Sequence, residues 1–145
     1  MVEIRATAHT TASSSHVWAI LADHTTTPHW SPMDGCELAT PAPGPDPEGL
    51  GAVRRQWRGK TVGYDTVTIH QPTHRWGYTH RGLPVRDYHG LVELADTPDG
   101  CKITWSVRFT PRYPGTGRLM KRPIADFING CATGLARHAT ETAGD

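Results

Sequence analysis

From Gly49 to Phe109 the chain reads as strands and turns, and one long amphipathic segment after Pro114-Gly115 closes it. A run of antiparallel strands with a single helix large enough to cover it must wrap that helix. The space between a curved sheet and one helix suits a small apolar ligand.

The strands follow from their periodicity. Val2 to Thr10 alternates Val2, Ile4, Ala6 and Ala8 against Glu3, Arg5, Thr7 and His9, a period of two that predicts a half-buried first strand. Ser13-Ser14-Ser15 supplies helix-capping hydroxyls, and Val17, Trp18, Ile20 and Leu21 follow at helical spacing. Thr25 to Pro32 has room for one further helical turn, and Gly35 to Thr40 fits a second strand. Pro41, Pro43, Pro45 and Pro47 then force a surface loop, because each fixes φ and removes a donor.

Ala52 to Trp57 turns at Arg58-Gly59-Lys60 into Thr61 to His70, a predicted hairpin. His74 to Arg81 places Trp76, Tyr78 and His80 on one face, and Asp87 to Leu94 does the same with Tyr88, Gly90, Val92 and Leu94. After the turn Thr97-Pro98-Asp99-Gly100, Ile103, Trp105, Val107 and Phe109 alternate with polar residues. In the last segment, about Gly117 to Thr142, Met120, Ile124, Phe127, Cys131 and Leu135 recur every three or four residues, with Leu119 and Ile128 beside them. Pro123 is expected in the first turn of this helix or at a kink in a preceding one, and Gly130 and Gly134 at points of close packing or beside a ligand.

Composition narrows the partners. At 145 residues one domain spanning 1–145 is expected, large enough to bury about two thirds of its unfolded surface without staples. With 15 basic and 14 acidic side chains and a net charge of +1, nucleic acid is not an expected partner, since phosphate binding needs a concentrated basic excess. Cys36, Cys101 and Cys131 are odd in number and lack a CxxC spacing, which predicts a reduced cytoplasmic chain. No stretch approaches the length of a membrane span, and a monomer is expected. Nine histidines invite a metal reading, but the densest group, His70, His74, His80 and His89, shows no HExxH or Cys/His pattern. No metal or other cofactor is expected.

The order strand, helix, short helix, six strands, long helix carries VWAILAD (Val17 to Asp23), HWSP (His29 to Pro32), GAVRR (Gly51 to Arg55), LPVRDYHG (Leu83 to Gly90) and CKITWSVRFTPRYPGTG (Cys101 to Gly117). In that order and spacing the chain resembles, over nearly its whole length, the polyketide cyclase/dehydrase and lipid-transport superfamily, also called START-like, Bet v 1-like or SRPBCC. The resemblance implies an α+β helix-grip fold: a curved antiparallel sheet of about seven strands wrapped around the C-terminal helix, with an internal hydrophobic cavity. Trp18, Trp30 and Trp105 stand at positions that look like family core residues.

The resulting site expectation joins Tyr64, Trp76, Tyr78, His80, Tyr88, Val92 and Trp105 from the sheet with Met120, Ile124 and Phe127 from the helix. Alternation alone leaves open which face of Thr61–His70 points inward. Rough alignment with aromatase/cyclases implies Tyr64, Thr66 and Thr68, with Thr68 where those enzymes resemble one another in an inward arginine. Arg54 and Arg55 are adjacent, so one faces the inside of the sheet or its edge; a snorkelling arginine at the margin is the expectation. Arg86 and Asp87 are expected to pair at the rim.

Three functions follow. The first is a carrier or sensor that binds a hydrophobic small molecule, such as a lipid, polyketide or isoprenoid. The second is a polyketide cyclase or dehydratase using His80 with Tyr78, Tyr88 or Tyr64 as its acid/base pair. The third is a protein-interaction or co-chaperone-like regulator, which an exposed apolar patch would favour.

Overall fold

The computed structural model describes residues 1–143. Strand β1 (Val2–Thr10) leads into helix α1 (Ser14–Ala22), a single 3-10 turn (His24–Thr26) and the short helix α2 (Thr27–Trp30). Six strands follow: β2 (Gly35–Thr40), β3 (Val53–Arg58), β4 (Thr61–Gln71), β5 (Arg75–Arg81), β6 (Val85–Thr97) and β7 (Gly100–Pro111). Helix α3 (Gly117–Thr142) is the last element. The strands form one seven-stranded sheet in the order β1-β7-β6-β5-β4-β3-β2, with every neighbouring pair antiparallel.

Local chemistry fixes the element ends. Ser13 Oγ accepts from His16 N at 3.2 Å, which caps α1, and Asp23 Oδ1 accepts from Thr25 N at 3.0 Å to start the next turn. The β3–β4 hairpin closes between Arg58 and Thr61, and Gly59 takes the positive φ of 59° that a two-residue turn with glycine first requires.

Strand β4 carries the feature that decides its inner face. Its pairing with β5 shifts register between Val67 and Ile69, leaving Thr68 as an extra residue. Before that bulge Asp65 and Val67 are buried, and beyond it His70 opposes the inward-facing Trp76 while Ile69 opposes Gly77 on the outer face. The inner residues are therefore Gly63, Asp65 and Val67, and not Tyr64, Thr66 and Thr68. Tyr64 instead lies on the outer face, with the Arg81 guanidinium 4.9 Å from its ring centre.

The core forms where α3 packs on β1 and β7 and against α1 and α2. Ile128 and Leu135 are fully buried there with Val17, Leu21, Ile103 and Phe109. Each such side chain contributes roughly 1.5–3 kcal/mol by leaving water. Gly134 permits this packing, because a Cβ there would lie 1.8 Å from Trp30 O.

Several expectations change. Leu119 is 74% exposed, so it stands off the buried stripe. Pro123 lies inside the continuous helix rather than in its first turn. Trp18 is only partly buried and meets the His70 ring edge-on at 5.2 Å. Arg86 and Asp87 form no ion pair among the described residues; the β6–β7 register shifts there, and Asp87 takes a positive φ of 50°.

Candidate functional site

Strand register builds the site. Leu38 opposes Arg54, Arg54 opposes Asp65, Asp65 opposes His80 and His80 opposes Tyr88. One rung of inward side chains thus crosses five neighbouring strands, and four of its members are polar. The next rung sets Val67 beside Tyr78, Gly90 and Val107, and the one beyond runs His70, Trp76, Val92 and Trp105.

His80 Nδ1 lies 2.7 Å from Asp65 Oδ1. A carboxylate can only accept, so Nδ1 carries the proton and donates, which leaves Nε2 of the neutral ring as an acceptor. Gln56 Nε2 donates to the other carboxylate oxygen. Gly63 makes room for this pair, since a Cβ there would sit 2.5 Å from His80 Cε1. The His80 ring also packs on Tyr88 at 5.1 Å, and Tyr88 stacks on Phe109 at 6.0 Å.

Tyr78 accepts from Trp105 Nε1 at 3.1 Å. Its ring rests over Gly90, where a Cβ would lie 2.1 Å from Tyr78 Cζ. Burial pushes the hydroxyls of Tyr78 and Tyr88 well above the ordinary phenol range, and the Asp65 charge adds to both shifts. Burial also pushes the Cys131 thiol up. These groups are held protonated.

Above the polar rung, a cavity of about 280 Å³ separates the sheet from the first half of α3. His80, Tyr78 and Tyr88 line it from the sheet, and Met120, Ile124 and Phe127 line it from the helix. Met33, Val62, Leu83 and Pro123 complete an apolar wall around Gln56 and Asp65. A second void of about 30 Å³ lies deeper and has Trp76, Trp105, Arg54 and Thr27 in its lining. Val92 is fully buried and borders neither space. A broader concavity of about 490 Å³ occupies the outer sheet face, where the exposed Glu3, Arg5 and Arg108 give it a charged wall.

Arg54 is inward and 3% exposed, where a marginal, snorkelling side chain was expected. Its Nη2 donates to Leu21 O at 3.1 Å and Ala22 O at 3.0 Å, closing the end of α1, and lies 3.4 Å from Glu48 Oε1. Its guanidinium sits 4.9 Å from the Trp76 ring centre. Glu48 Oε2 in turn accepts from His24 N and contacts His24 Nδ1 at 2.7 Å. Asp23, His24 and Glu48 are the one acid/histidine group of metal-holding compactness among the described residues; Glu48 there bonds His24 and Arg54, and Asp23 bonds Thr25. The four histidines grouped by the sequence do not converge, because His80 faces the cavity while His74 and His89 are exposed.

Asp65, Gln56 and the inward Arg54 are the members of the site that the sequence expectation lacked. A signal existed: carrying the hairpin register back from Arg58 and Thr61 sets Arg54 opposite Asp65.

The family model described as "Polyketide cyclase / dehydrase and lipid transport" matches residues 1–140, and the chain belongs to this family. Among solved structures it is similar to a START superfamily protein from Mycobacterium smegmatis, with a TM-score of 0.78, 15% identity, and 96% of this chain and 97% of that one covered. A solution structure from Thermobifida fusca gives a TM-score of 0.79 at 20% identity, covering 97% and 95%. The protein XoxI from Bacillus cereus gives 0.78 at 15% identity, covering 95% of each chain. At these identities the likeness concerns the fold, which hosts many activities. No match was found among curated proteins. No helix among the described residues is long and apolar enough to cross a membrane.

Proposed function

We propose that this chain binds a hydrophobic small molecule with a polar group, of the lipid, polyketide or isoprenoid kind, as a carrier or sensor. The observation that carries the reading is the 280 Å³ cavity, in which an apolar wall surrounds a few convergent polar groups. That mixture is the usual makeup of a small-molecule site, and the volume sits near the lower end of the common range. The family match to lipid-transport proteins points the same way.

The test is titration with an apolar fluorescent probe and with medium-chain lipids, followed by calorimetry and thermal melting. Binding at one site per chain should raise Tm, because a ligand that binds only the folded state stabilises it by mass action. Met120→Trp, which puts bulk into the cavity, should weaken binding. Absence of binding, or binding indifferent to Met120→Trp, sinks the reading. Native mass spectrometry of protein from its own host would identify a co-purifying ligand.

The 2.7 Å contact of His80 with Asp65 favours a second reading, a cyclase or dehydratase. A histidine whose Nδ1–H is held by a carboxylate can take a substrate proton at Nε2 and stabilise the charge it gains. His80→Gln should then abolish turnover of a poly-β-keto probe while binding persists. Unchanged turnover would remove His80 from that role.

A further inference from the structure

Five buried side-chain polar atoms among the described residues have no hydrogen-bond partner: Thr27 Oγ1, Arg54 Nε, His70 Nε2, Arg75 Nε and Trp76 Nε1. Buried polar atoms in native proteins are nearly always paired, so each such atom asks what satisfies it. Three of the five, on Thr27, Arg54 and Trp76, belong to residues that line the same 30 Å³ void. Those residues are 4%, 3% and 3% exposed, so bulk solvent does not reach them. Thr27 Oγ1 also faces the weakly bonding thiol of Cys36.

The chemistry of the three groups restricts the occupant. Indole Nε1–H and guanidinium Nε–H can donate and cannot accept, so whatever meets them must offer lone pairs. An ammonium is excluded on that ground. The volume is about that of one water molecule, which admits a single oxygen and not a larger polar head. Charge narrows the choice again. Arg54 already faces Glu48 and two backbone carbonyls, and the Asp65 carboxylate lines the same void. A full anion would share the void with the Asp65 carboxylate and be repelled by it, whereas a neutral carbonyl oxygen meets two donors without that repulsion.

The void adjoins the larger cavity, since Gln56, Asp65, Tyr78 and Phe127 line both. The geometry points to a carbonyl subsite: the void takes the carbonyl oxygen of a neutral ketone, aldehyde or ester, with Trp76 Nε1–H and Arg54 Nε–H donating to it. The hydrocarbon of the same molecule lies in the larger cavity. Thr27 Oγ1 supplies a third bond. This inference rests on the cavity reading and deepens it by naming the ligand's functional group.

The experiment compares 2-nonanone with nonane as competitors of a bound apolar fluorescent probe, using wild-type protein, Trp76→Phe and Thr27→Val. Trp76→Phe deletes one donor and keeps an aromatic ring, and Thr27→Val deletes the hydroxyl at nearly constant shape. The wild type should prefer the ketone about threefold to tenfold, the range expected for one net hydrogen bond. Trp76→Phe should erase most of that preference, and Thr27→Val should reduce it. Equal affinity for ketone and alkane, or a preference that survives both variants, overturns the subsite and leaves the cavity reading standing. Binding of neither compound overturns both. A crystal structure of the ketone complex tests the same point independently: a ketone oxygen in the void supports the assignment, and a water retained there overturns it.

Discussion

His80 and Asp65 stand directly opposite each other on β5 and β4, and ring Nδ1 meets carboxylate Oδ1 at 2.7 Å on the inner face of the sheet. Asp65 is 6% exposed and takes its other bond from Gln56, so two side chains satisfy it. Deleting the imidazole with His80→Ala leaves one buried oxygen without its donor. The expected loss is about 1–3 kcal/mol in urea unfolding. A double-mutant cycle with Asp65→Ala should return a coupling of about 0.5–3 kcal/mol. Additive losses would show that the contact contributes nothing in solution.

Gly134 and Gly130 lie one turn apart on α3 and should respond oppositely to alanine. A Cβ at Gly134 would collide with Trp30 O at 1.8 Å, and that backbone cannot swing away as a side-chain tip can. Gly134→Ala should destabilise by roughly 1–3 kcal/mol or more, by pushing α2 off α3. At Gly130 the nearest atom is Pro32 Cγ at 3.3 Å, a gap that a small shift relieves. Helix propensity then favours alanine by about 1 kcal/mol, so Gly130→Ala should fall near neutral or slightly stabilising. Equal losses at both sites would mean that the α2–α3 contact is looser in solution.

Tyr78, Tyr88 and Cys131 should make the protein sensitive to alkali. Burial raises all three above their unfolded values, so the folded chain retains protons that the unfolded chain releases. Their contribution is fully present below the unfolded range, about pH 8.5 for cysteine and 10 for tyrosine. It is lost as pH rises above that range, because the unfolded state gains by ionising first. The tyrosinate absorbance of Tyr78 and Tyr88 should therefore appear only together with loss of structure. Tyr88→Phe should flatten the fall in stability above about pH 10. A tyrosinate signal from both residues in the intact fold would contradict this.

The architecture could be read from periodicity because the strands outside β4 keep their alternation where they face the core, and β7 with Ile103, Trp105, Val107 and Phe109 is the plainest example. The aromatic wall followed from the same rule, as Trp76, Tyr78 and His80 share one face of β5. Strand β4 resisted it. Both of its faces mix apolar and polar residues, and the Thr68 bulge exchanges the faces midway, so no single alternation describes it. The choice of Tyr64 over Asp65 concealed the polar rung. The full burial of Arg54 was illegible for a related reason: a buried arginine is intelligible only once Leu21 O, Ala22 O and Glu48 converge on it, and none is near it in the strand pattern.

Phe127 tests whether the cavity persists in solution. It lines both the larger cavity and the small void, and it is only partly buried, unlike Leu135 two turns further along the same helix face. A fully packed Phe→Ala change costs about 3–5 kcal/mol, much of it from the hole left behind. Beside a space that already exists, fewer contacts are lost, so Phe127→Ala should cost roughly 1–3 kcal/mol in chemical denaturation. Leu135→Ala, in the closed core, should fall in the range of about 2–5 kcal/mol and exceed it. Removing the Phe127 ring also enlarges both spaces that it lines, so a competition series of apolar probes of rising size should shift its optimum toward bulkier members. A Phe127→Ala loss of about 3–5 kcal/mol, with no change in size preference, would mean that the ring is packed core and that the cavity collapses in solution.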